Sequence, residues 1–314
     1  MTTAPTAPSI AEPTERLTRA EARANRRLVA GLVLVHLLAL GLVASAAWPL
    51  ALIGALLLAL LSPPLWAAIH EAIHGHLVAG PGVNEQAGRL LAGLHGAPFD
   101  VLRYGHLSHH RTNGEPAARP DVIPPPPASP TLARLGFYGR LLGGLYLFEL
   151  AALPLAALPR PVLLRVFRRY GALSGDAEES ERAARHLLEP ARLRRIRTDA
   201  LLIVAGWAIA VALAGRAWPW LVAGLAGRAL LVSLLDNAPH HAGPLGDRRQ
   251  GHDTAVPPAL APLLLHMNLH GTHHRHPNLP WRRLPDAFRA DGGRLHGSLL
   301  GAVLQQLAGP LPPP

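Results

Sequence analysis

The chain has 314 residues, no cysteine and no lysine, and its 30 arginines against 20 acidic residues give a formal net charge of +10 at pH 7. Without cysteine there are no disulfides and no thiolate metal sites, so a metal site would need nitrogen and oxygen ligands. A basic chain could bind nucleic acid, but the long apolar runs favour a membrane protein instead. We therefore predict one membrane domain and no nucleic-acid partner.

The N-terminal segment lacks the periodic apolar pattern of a packed helix. Residues 1–15 are rich in Ala, Pro, Thr and Glu, and five arginines follow up to Arg27. This composition is typical of a solvated segment, so we predict a mobile basic tail over residues 1–27. Because the apolar run begins late, we expect no cleaved signal peptide.

Four apolar runs then have the length of a membrane span. About 20 residues cross a hydrocarbon core of about 30 Å. Short turns at Trp48-Pro49 and near Arg216 join the runs in pairs. The runs are Leu28–Trp48, Leu50–Ile69, Asp199–Gly215 and Trp218–Leu235. We predict an all-α integral membrane fold over residues 28–296, with four transmembrane helices in two hairpins, and a C-terminal tail over residues 297–314.

A fifth apolar stretch, Leu132–Leu158, would place later histidines on the opposite side of the membrane if it spanned. It contains Arg134, Arg140 and Glu149 and is broken by prolines. We therefore predict that it is interfacial or re-entrant. The arginines beside the four spans lie on the histidine side, apart from Arg216. Because flanking arginines favour the cytoplasm, we expect a cytoplasmic site at an inner or plasma membrane.

Three histidine clusters lie at the ends of apolar stretches. Residues three or four apart share a helix face, whereas adjacent residues diverge by about 100°. A single ion needs about three or four protein ligands, so eight histidines at these spacings predict two neighbouring metals. The clusters are His70, His74 and His76; His106, His109 and His110; and His270, His273, His274 and His276.

The remaining histidines do not repeat this spacing. His76 and His276 lie just outside it, and we expect them behind the ligands, where a histidine can orient a ligand or carry protons. We expect structural or solvated roles for His36, His95, His186, His252 and His296.

The last predicted span ends in Asp236-Asn237-Ala238-Pro239-His240-His241. Asn237 and His241 are four residues apart, and so are Asp236 and His240. One interpretation is a polar helix end, since terminal backbone groups need polar partners. The other is one more imidazole, from His241 or His240, with the Asn237 oxygen holding metal-bound water.

With these motifs the chain resembles the integral-membrane fatty acid desaturase and hydroxylase superfamily, over about residues 30 to 290. The resemblance rests on His70-Glu-Ala-Ile-His74, His106-Leu-Ser-His109-His110 and Asn268-Leu-His270-Gly-Thr-His273-His274. It implies four spans and a cytoplasmic helical cap that holds a di-iron centre. The implied metal ligands are His70, His74, His106, His109, His110, His241, His270, His273 and His274, with Asn237 beside the cofactor.

The resemblance implies an oxidase that uses two non-haem irons and O2 as co-substrate. We expect it to introduce a double bond into a fatty acyl chain, with electrons from a separate donor such as ferredoxin or rubredoxin. The basic face around Arg192, Arg194 and Arg195 could steer an acidic donor, and lipid headgroup contact is the alternative.

Other functions stay open at this point. The closing Pro277-x-x-Pro280-Trp281 pattern is similar to carotenoid ketolases, so a carotenoid ketolase or hydroxylase, or an alkane hydroxylase, could use the same centre. The sequence His70-Glu71-Ala-Ile-His74 also matches the zinc protease pattern, in which the glutamate is the general base. A metal transporter is disfavoured because Leu50–Leu61 and Leu201–Leu213 contain no ionisable side chain.

Overall fold

The computed structural model describes residues 16–45, 47–123, 129–174 and 176–311, and within these ranges it contains helices and isolated β-bridges but no strand. Residues 1–15 of the predicted tail lie outside the described residues. The helices are α1 Arg19–Ala44, α2 Trp48–Leu60, α3 Ser62–His74, α4 Pro81–His95, α5 Phe99–Thr112, α6 Pro130–Gly139, α7 Leu145–Leu150, α8 Ala152–Ala156, α9 Arg160–Ser174, α10 Ala177–Leu187, α11 Pro190–Ala214, α12 Trp218–Asn237, α13 His270–Arg275, α14 Leu284–Ala290 and α15 Leu299–Gln305.

Four helical stretches of the described chain are long and apolar enough to cross a membrane. The last of them has 48 residues and contains both α11 and α12. A continuous helix of that length would measure about 72 Å, more than twice a hydrocarbon core of about 30 Å. Gly215, with φ +52° and ψ −122°, interrupts it between α11 and α12. The stretches are Arg19–Ala44, Trp48–His74, Pro130–Ala156 and Pro190–Asn237.

The stretch Pro130–Ala156 qualifies as a span by length and composition, although the sequence predicts an interfacial or re-entrant segment. It is not a straight helix. A π-helical turn at Arg140–Gly144 contains non-helical backbone at Leu142 and Gly143. Gly143 has φ +118°, and a Cβ there would lie 3.4 Å from the Ala229 side chain of α12. The kink therefore lies against α12, and the interfacial or re-entrant placement stays a prediction.

Small residues allow the spans to approach closely. A Cβ added at Gly54 of α2 would lie 2.6 Å from the Ala39 carbonyl oxygen of α1. A Cβ at Gly224 of α12 would lie 3.1 Å from the Ala55 carbonyl oxygen of α2. Close backbone approach at small residues is a main source of helix association in membranes. Helix α2 is thus packed between α1 and α12.

A buried arginine connects these spans to the part of the protein that carries the histidines. The side chain of Arg228 on α12 is fully buried, and its Nη1 donates to the carbonyl oxygens of Leu94 and His95 at 2.7 and 2.9 Å. Its Nε lies 3.2 Å from the Ser62 hydroxyl. These oxygens accept hydrogen bonds from the guanidinium and so stabilise a charged side chain inside the apolar helix. They tie α12 to the end of α4 and the start of α3.

Helices occupy part of both predicted tails. Helix α1 already begins at Arg19, where Thr18 and Glu21 form a reciprocal capping box. At the C-terminal end, α15 lies within the predicted tail and is followed by the fully buried Gln306. Between the first two helices, the turn predicted at Trp48-Pro49 lies before Trp48, because α2 starts at that residue. The packed part of the chain therefore extends beyond the predicted limits of residues 28 and 296.

Candidate metal centre

The three histidine boxes lie on helices that meet at one end of the spanning helices. The first box occupies the last two turns of α3, and the second occupies the C-terminal half of α5. The third box forms the short helix α13. Because each box is helical, its side chains at positions i and i+4 point to the same side. The boxes bring their imidazoles together in two groups.

The first group contains five imidazoles whose ligand atoms all lie within 4.8 Å of one another. Helix α3 contributes two of them, α5 contributes two and α13 contributes one. Neighbouring Nε2 atoms are 2.9 to 3.1 Å apart. The members are His70, His74, His106, His110 and His273.

The second group contains four imidazoles, again with their ligand atoms within 4.8 Å of one another. Neighbouring Nε2 atoms are 2.8 to 3.3 Å apart. Three members come from the second and third boxes, and the fourth follows the end of α12. The members are His109, His240, His270 and His274.

The adjacent histidines of the second and third boxes divide between the two groups. His109 belongs to the second group and His110 to the first, while His273 belongs to the first and His274 to the second. This division follows from the rotation of about 100° between adjacent helical residues. The groups are neighbours, since the rings of His110 and His274 stack with centroids 4.4 Å apart. The geometry thus provides two adjoining nitrogen-lined sites.

The spacing of these nitrogens suits coordination of a metal cation better than hydrogen bonding between the imidazoles. With metal–nitrogen distances of about 2.0 to 2.1 Å, neighbouring ligand nitrogens lie about 2.9 to 3.4 Å apart, close to the observed separations. Converging imidazoles cannot all donate to each other, because a neutral imidazole has one N–H. Burial lowers the pKa of His106, His240 and His274 well below its usual value. The rings are therefore neutral, which is the form that binds metals.

Two carboxamides support the second group from behind. Gln250 Nε2 lies 3.3 Å from His240 Nδ1, and Asn113 Nδ2 lies 3.4 Å from His274 Nδ1. Gln250 Nε2 also donates to Asn113 Oδ1 at 3.0 Å. A histidine that binds metal through Nε2 carries its proton on Nδ1 and donates it outward. As placed, each carboxamide brings a nitrogen to Nδ1, so these contacts fix the positions of the two rings and do not accept the Nδ1 proton.

The third box is held by a buried carboxylate that sequence reasoning missed. Asp253 accepts hydrogen bonds from the Thr272 backbone nitrogen at 2.8 Å and from the Thr272 hydroxyl at 2.9 Å. It also pairs with Arg275 at 3.2 Å. These contacts fix α13 from the side opposite its ligands. An isolated aspartate 17 residues before His270 has no spacing signal by which the sequence alone could reveal it.

A buried ion pair holds the backbone of His240. Arg119 donates to both carboxylate oxygens of Asp121 at 2.7 and 2.8 Å, and to the His240 carbonyl oxygen at 2.9 Å. Burial by itself would raise the Asp121 pKa, but the hydrogen bonds from Arg119 and the Ala242 backbone lower it overall. The carboxylate is therefore charged and the pair fixes the turn that carries His240.

The structure places Asn237 and His241, two of the predicted site residues, outside both histidine groups. His241 Nε2 lies 3.1 Å from the Gly309 carbonyl oxygen, and Asn237 Nδ2 donates to Gln306 Oε1 at 2.9 Å. Neither belongs to a histidine group, and His240 takes the predicted place of His241. Helix α12 ends at Asn237, just before Pro239, so helical spacing does not extend to residue 241. The available signal was the second spacing of four, between Asp236 and His240.

Glu71 lies behind its histidine and does not face either group. Its Oε2 accepts a hydrogen bond from the Trp281 backbone nitrogen at 3.1 Å, and its Oε1 lies 3.7 Å from His70 Nδ1. His70 turns its other nitrogen, Nε2, toward His273 at 3.1 Å. A general base must be within reach of the metal-bound water. Glu71 instead supports the first box by its contact with the Trp281 backbone.

The structure also places the other histidines. His76 is buried, its ring nitrogens have no hydrogen-bond partner among the described residues, and burial lowers its pKa to about 4. Its ring stacks on His74 with centroids 6.2 Å apart, behind the first group. His276 Nε2 pairs with Asp291 at 3.0 Å. His95 Nε2 lies 2.9 Å from the Glu149 carboxylate, outside both groups.

An apolar cavity opens beside the histidines. It has a volume of about 90 Å³ and is lined by members of both groups, including His70, His106 and His270. Its other walls are mainly apolar and include Trp66 of α3 and Leu231 of α12. A substrate in this cavity would be in contact with both groups and with few polar side chains.

Comparison with known proteins agrees with this arrangement. The family described as fatty acid desaturase matches residues 46–300, which include all three histidine boxes and His240. Neither the curated proteins nor the solved structures contain a match to the chain. The family implies an oxidoreductase, and the apolar helices indicate a membrane protein. The chain belongs to the fatty acid desaturase family.

Proposed function

We propose that this protein is an O2-dependent di-iron oxidase that introduces a double bond into a fatty acyl chain. The observation that carries the proposal is the pair of adjoining histidine groups beside an apolar cavity at the end of apolar helices. Imidazole also suits zinc, copper and nickel, so the ligands alone do not select iron. Family membership supports iron.

The reaction needs chemistry that side chains lack, because an unactivated C–H bond does not yield to acid or base at neutral pH. A bound iron pair supplies the activation of O2. A CH2–CH2 unit loses two hydrogens, and O2 takes these together with two protons and two electrons from a donor to give two waters. The protein holds the nine imidazoles in place and keeps the chain in a cavity with apolar walls.

Family membership favours an acyl chain as the substrate. The buried Trp281 hydrogen-bonds to Glu71 and Asn25, which gives the pattern shared with ketolases a structural role. We therefore favour acyl desaturation over carotenoid oxidation or alkane hydroxylation as the function.

We propose that an external donor such as ferredoxin or rubredoxin supplies the electrons from the cytoplasm. Arg194 is exposed on the basic face, whereas Arg192 and Arg195 lie 3.7 and 3.0 Å from Asp100. Arg194 thus keeps the charge best available to an acidic donor. We expect Arg194→Gln to weaken donor-dependent turnover with iron content intact, and the exposed Arg134→Gln to serve as control. Equal donor kinetics in both variants would contradict this role.

Metal content and lipid products test the proposed function together. The double variant His109→Ala, His273→Ala removes one imidazole from each group, and His252→Ala removes one outside both. We expect about two irons per chain in the unaltered protein and in His252→Ala, a sharp loss in the double variant, and acyl products lacking two hydrogens. A single zinc that survives the double variant but is lost on changing His70 would favour the protease.

A further inference from the structure

The helical stretch Leu299–Ala308, which consists of α15 and the 3-10 turn after it, carries an apolar stripe that no described part of the chain covers. Leu300, Leu304 and Leu307 lie about one turn apart and are 67, 55 and 44 % exposed. Residues 297–311 contain no charged side chain. The apolar helical stretch Leu299–Ala308 has 10 residues. It is about 15 Å long, half of a hydrocarbon core, so it is too short to span.

This helix is attached where spanning helices end. Gln306 Nε2 donates to the Leu234 carbonyl oxygen at 2.8 Å, and Gln306 Oε1 accepts from Asn237 Nδ2 at 2.9 Å. Both partners lie in the last turn of α12. The Tyr138 hydroxyl of α6 donates to the Leu307 carbonyl oxygen at 3.1 Å. Helix α15 therefore lies at the level where α12 leaves the apolar layer.

A second apolar segment lies beside the same cavity. Leu260 and Leu263 are 45 and 62 % exposed in the turn that precedes the third box. Their neighbour Leu264 lines the cavity next to the histidines, as does Leu299 of α15. The two segments are tied together, since the Leu299 backbone nitrogen donates to the Ala255 carbonyl oxygen at 2.9 Å. In each segment one leucine lines the cavity, Leu264 or Leu299, and the adjacent leucine, Leu263 or Leu300, is exposed.

We propose that α15 and the turn with Leu260 and Leu263 lie in the acyl region of the leaflet on the histidine side. A bilayer lipid then enters the cavity between Leu231 of α12 and Leu299 of α15. The leaflet is the occupant because the stripe is uncharged and lies at the last turn of α12, an apolar helix whose Leu230 is 40 % exposed. An uncovered apolar face at this level is typical of a helix that lies in a membrane interface.

Single-cysteine spin labels test the placement, because the chain has no cysteine of its own. We would label Leu304→Cys on the stripe, Gln305→Cys at its edge and Arg248→Cys in an exposed loop, in phosphatidylcholine and phosphatidylglycerol vesicles. We expect the Leu304 label to relax with O2 and at least fivefold less with aqueous chromium oxalate, and the Arg248 label to show the reverse. A Leu304 label open to chromium oxalate, or shielded from both reagents by another protein surface, would overturn the placement.

The entrance rests in part on the proposed function, so its test does not use turnover. A phosphatidylcholine with a diazirine near the end of its stearoyl chain would label Trp66 in the cavity of the unaltered protein. We expect Leu299→Trp to reduce this labelling at least fivefold and the outward-facing Leu300→Trp to preserve it. Equal labelling in both variants, or none in the unaltered protein, would overturn the entrance. Labelling without any desaturation would contradict the proposed function and leave the entrance standing.

Discussion

The carboxylate of Glu71 accepts a hydrogen bond from the backbone N–H of Trp281, with 3.1 Å between Oε2 and nitrogen. The contact joins the first histidine box to the segment after the third, across 210 residues. Glu71 is 2 % exposed and lies on the Nδ1 side of His70, away from the neighbouring histidines. It supports the site without facing it.

Replacing this carboxylate therefore distinguishes the oxidase from a protease. Glu71→Gln keeps an acceptor for Trp281, so we expect iron content to be preserved and desaturation to fall by about tenfold or less, whereas Glu71→Ala should lower metal affinity by about 10- to 100-fold. Elemental analysis and product chromatography measure both effects. Proteolysis that disappears in Glu71→Gln would reverse the assignment.

The two adjacent histidines after α12 should behave differently. His240→Ala removes one of the four imidazoles of the second group, and we expect iron to fall from about two to about one per chain. His241→Ala should retain both irons, because His241 contacts the Gly309 carbonyl oxygen. Elemental analysis of the two purified variants compares neighbours in the same turn. A loss of iron confined to His241→Ala would contradict the grouping.

Asp253 should contribute to stability and to the position of the third box. Asp253→Ala leaves the Thr272 backbone and hydroxyl without their acceptor, and we expect the free energy of unfolding to fall by about 2 to 3 kcal/mol. The exposed Asp286→Asn on α14 is a matched control and should change it by less than about 0.5 kcal/mol. Chemical unfolding in detergent measures both. Equal stability of the two variants would mean that Asp253 does not hold α13.

The iron-free protein should lose stability as the pH falls below about 6.5. Burial lowers the pKa of His110 to about 3, so this ring stays neutral in the folded state and takes up a proton on unfolding. A depressed histidine pKa contributes stability above the unfolded value of about 6.5, and this is lost as pH falls toward 3, at up to about 1.4 kcal/mol per pH unit. Thermal unfolding between pH 7.5 and 5.0 measures the slope. His110→Asn should reduce it, and an unchanged slope would argue against a neutral buried ring.

Local periodicity was sufficient to predict much of this site. The spacings in the boxes determine which histidines share a helix face, so the division of His109 from His110 could be anticipated before any tertiary contact was known. Apolar runs likewise predicted the stretches that contain α1, α2, α11 and α12. These features depend on residues within one or two helical turns of each other.

Contacts between distant residues decided the rest. The choice of His240 over His241 depends on how the chain turns at Pro239 and on Arg119, which lies 121 residues earlier and holds the His240 carbonyl. The packing of α15 depends on Gln306, whose partner Leu234 is 72 residues away. The sequence by itself determined the spacing of the histidines in the three boxes and the helix faces that carry them. The tertiary structure decided which of those faces meet, because a hydrogen bond or packing contact across the fold leaves no periodic trace along the chain.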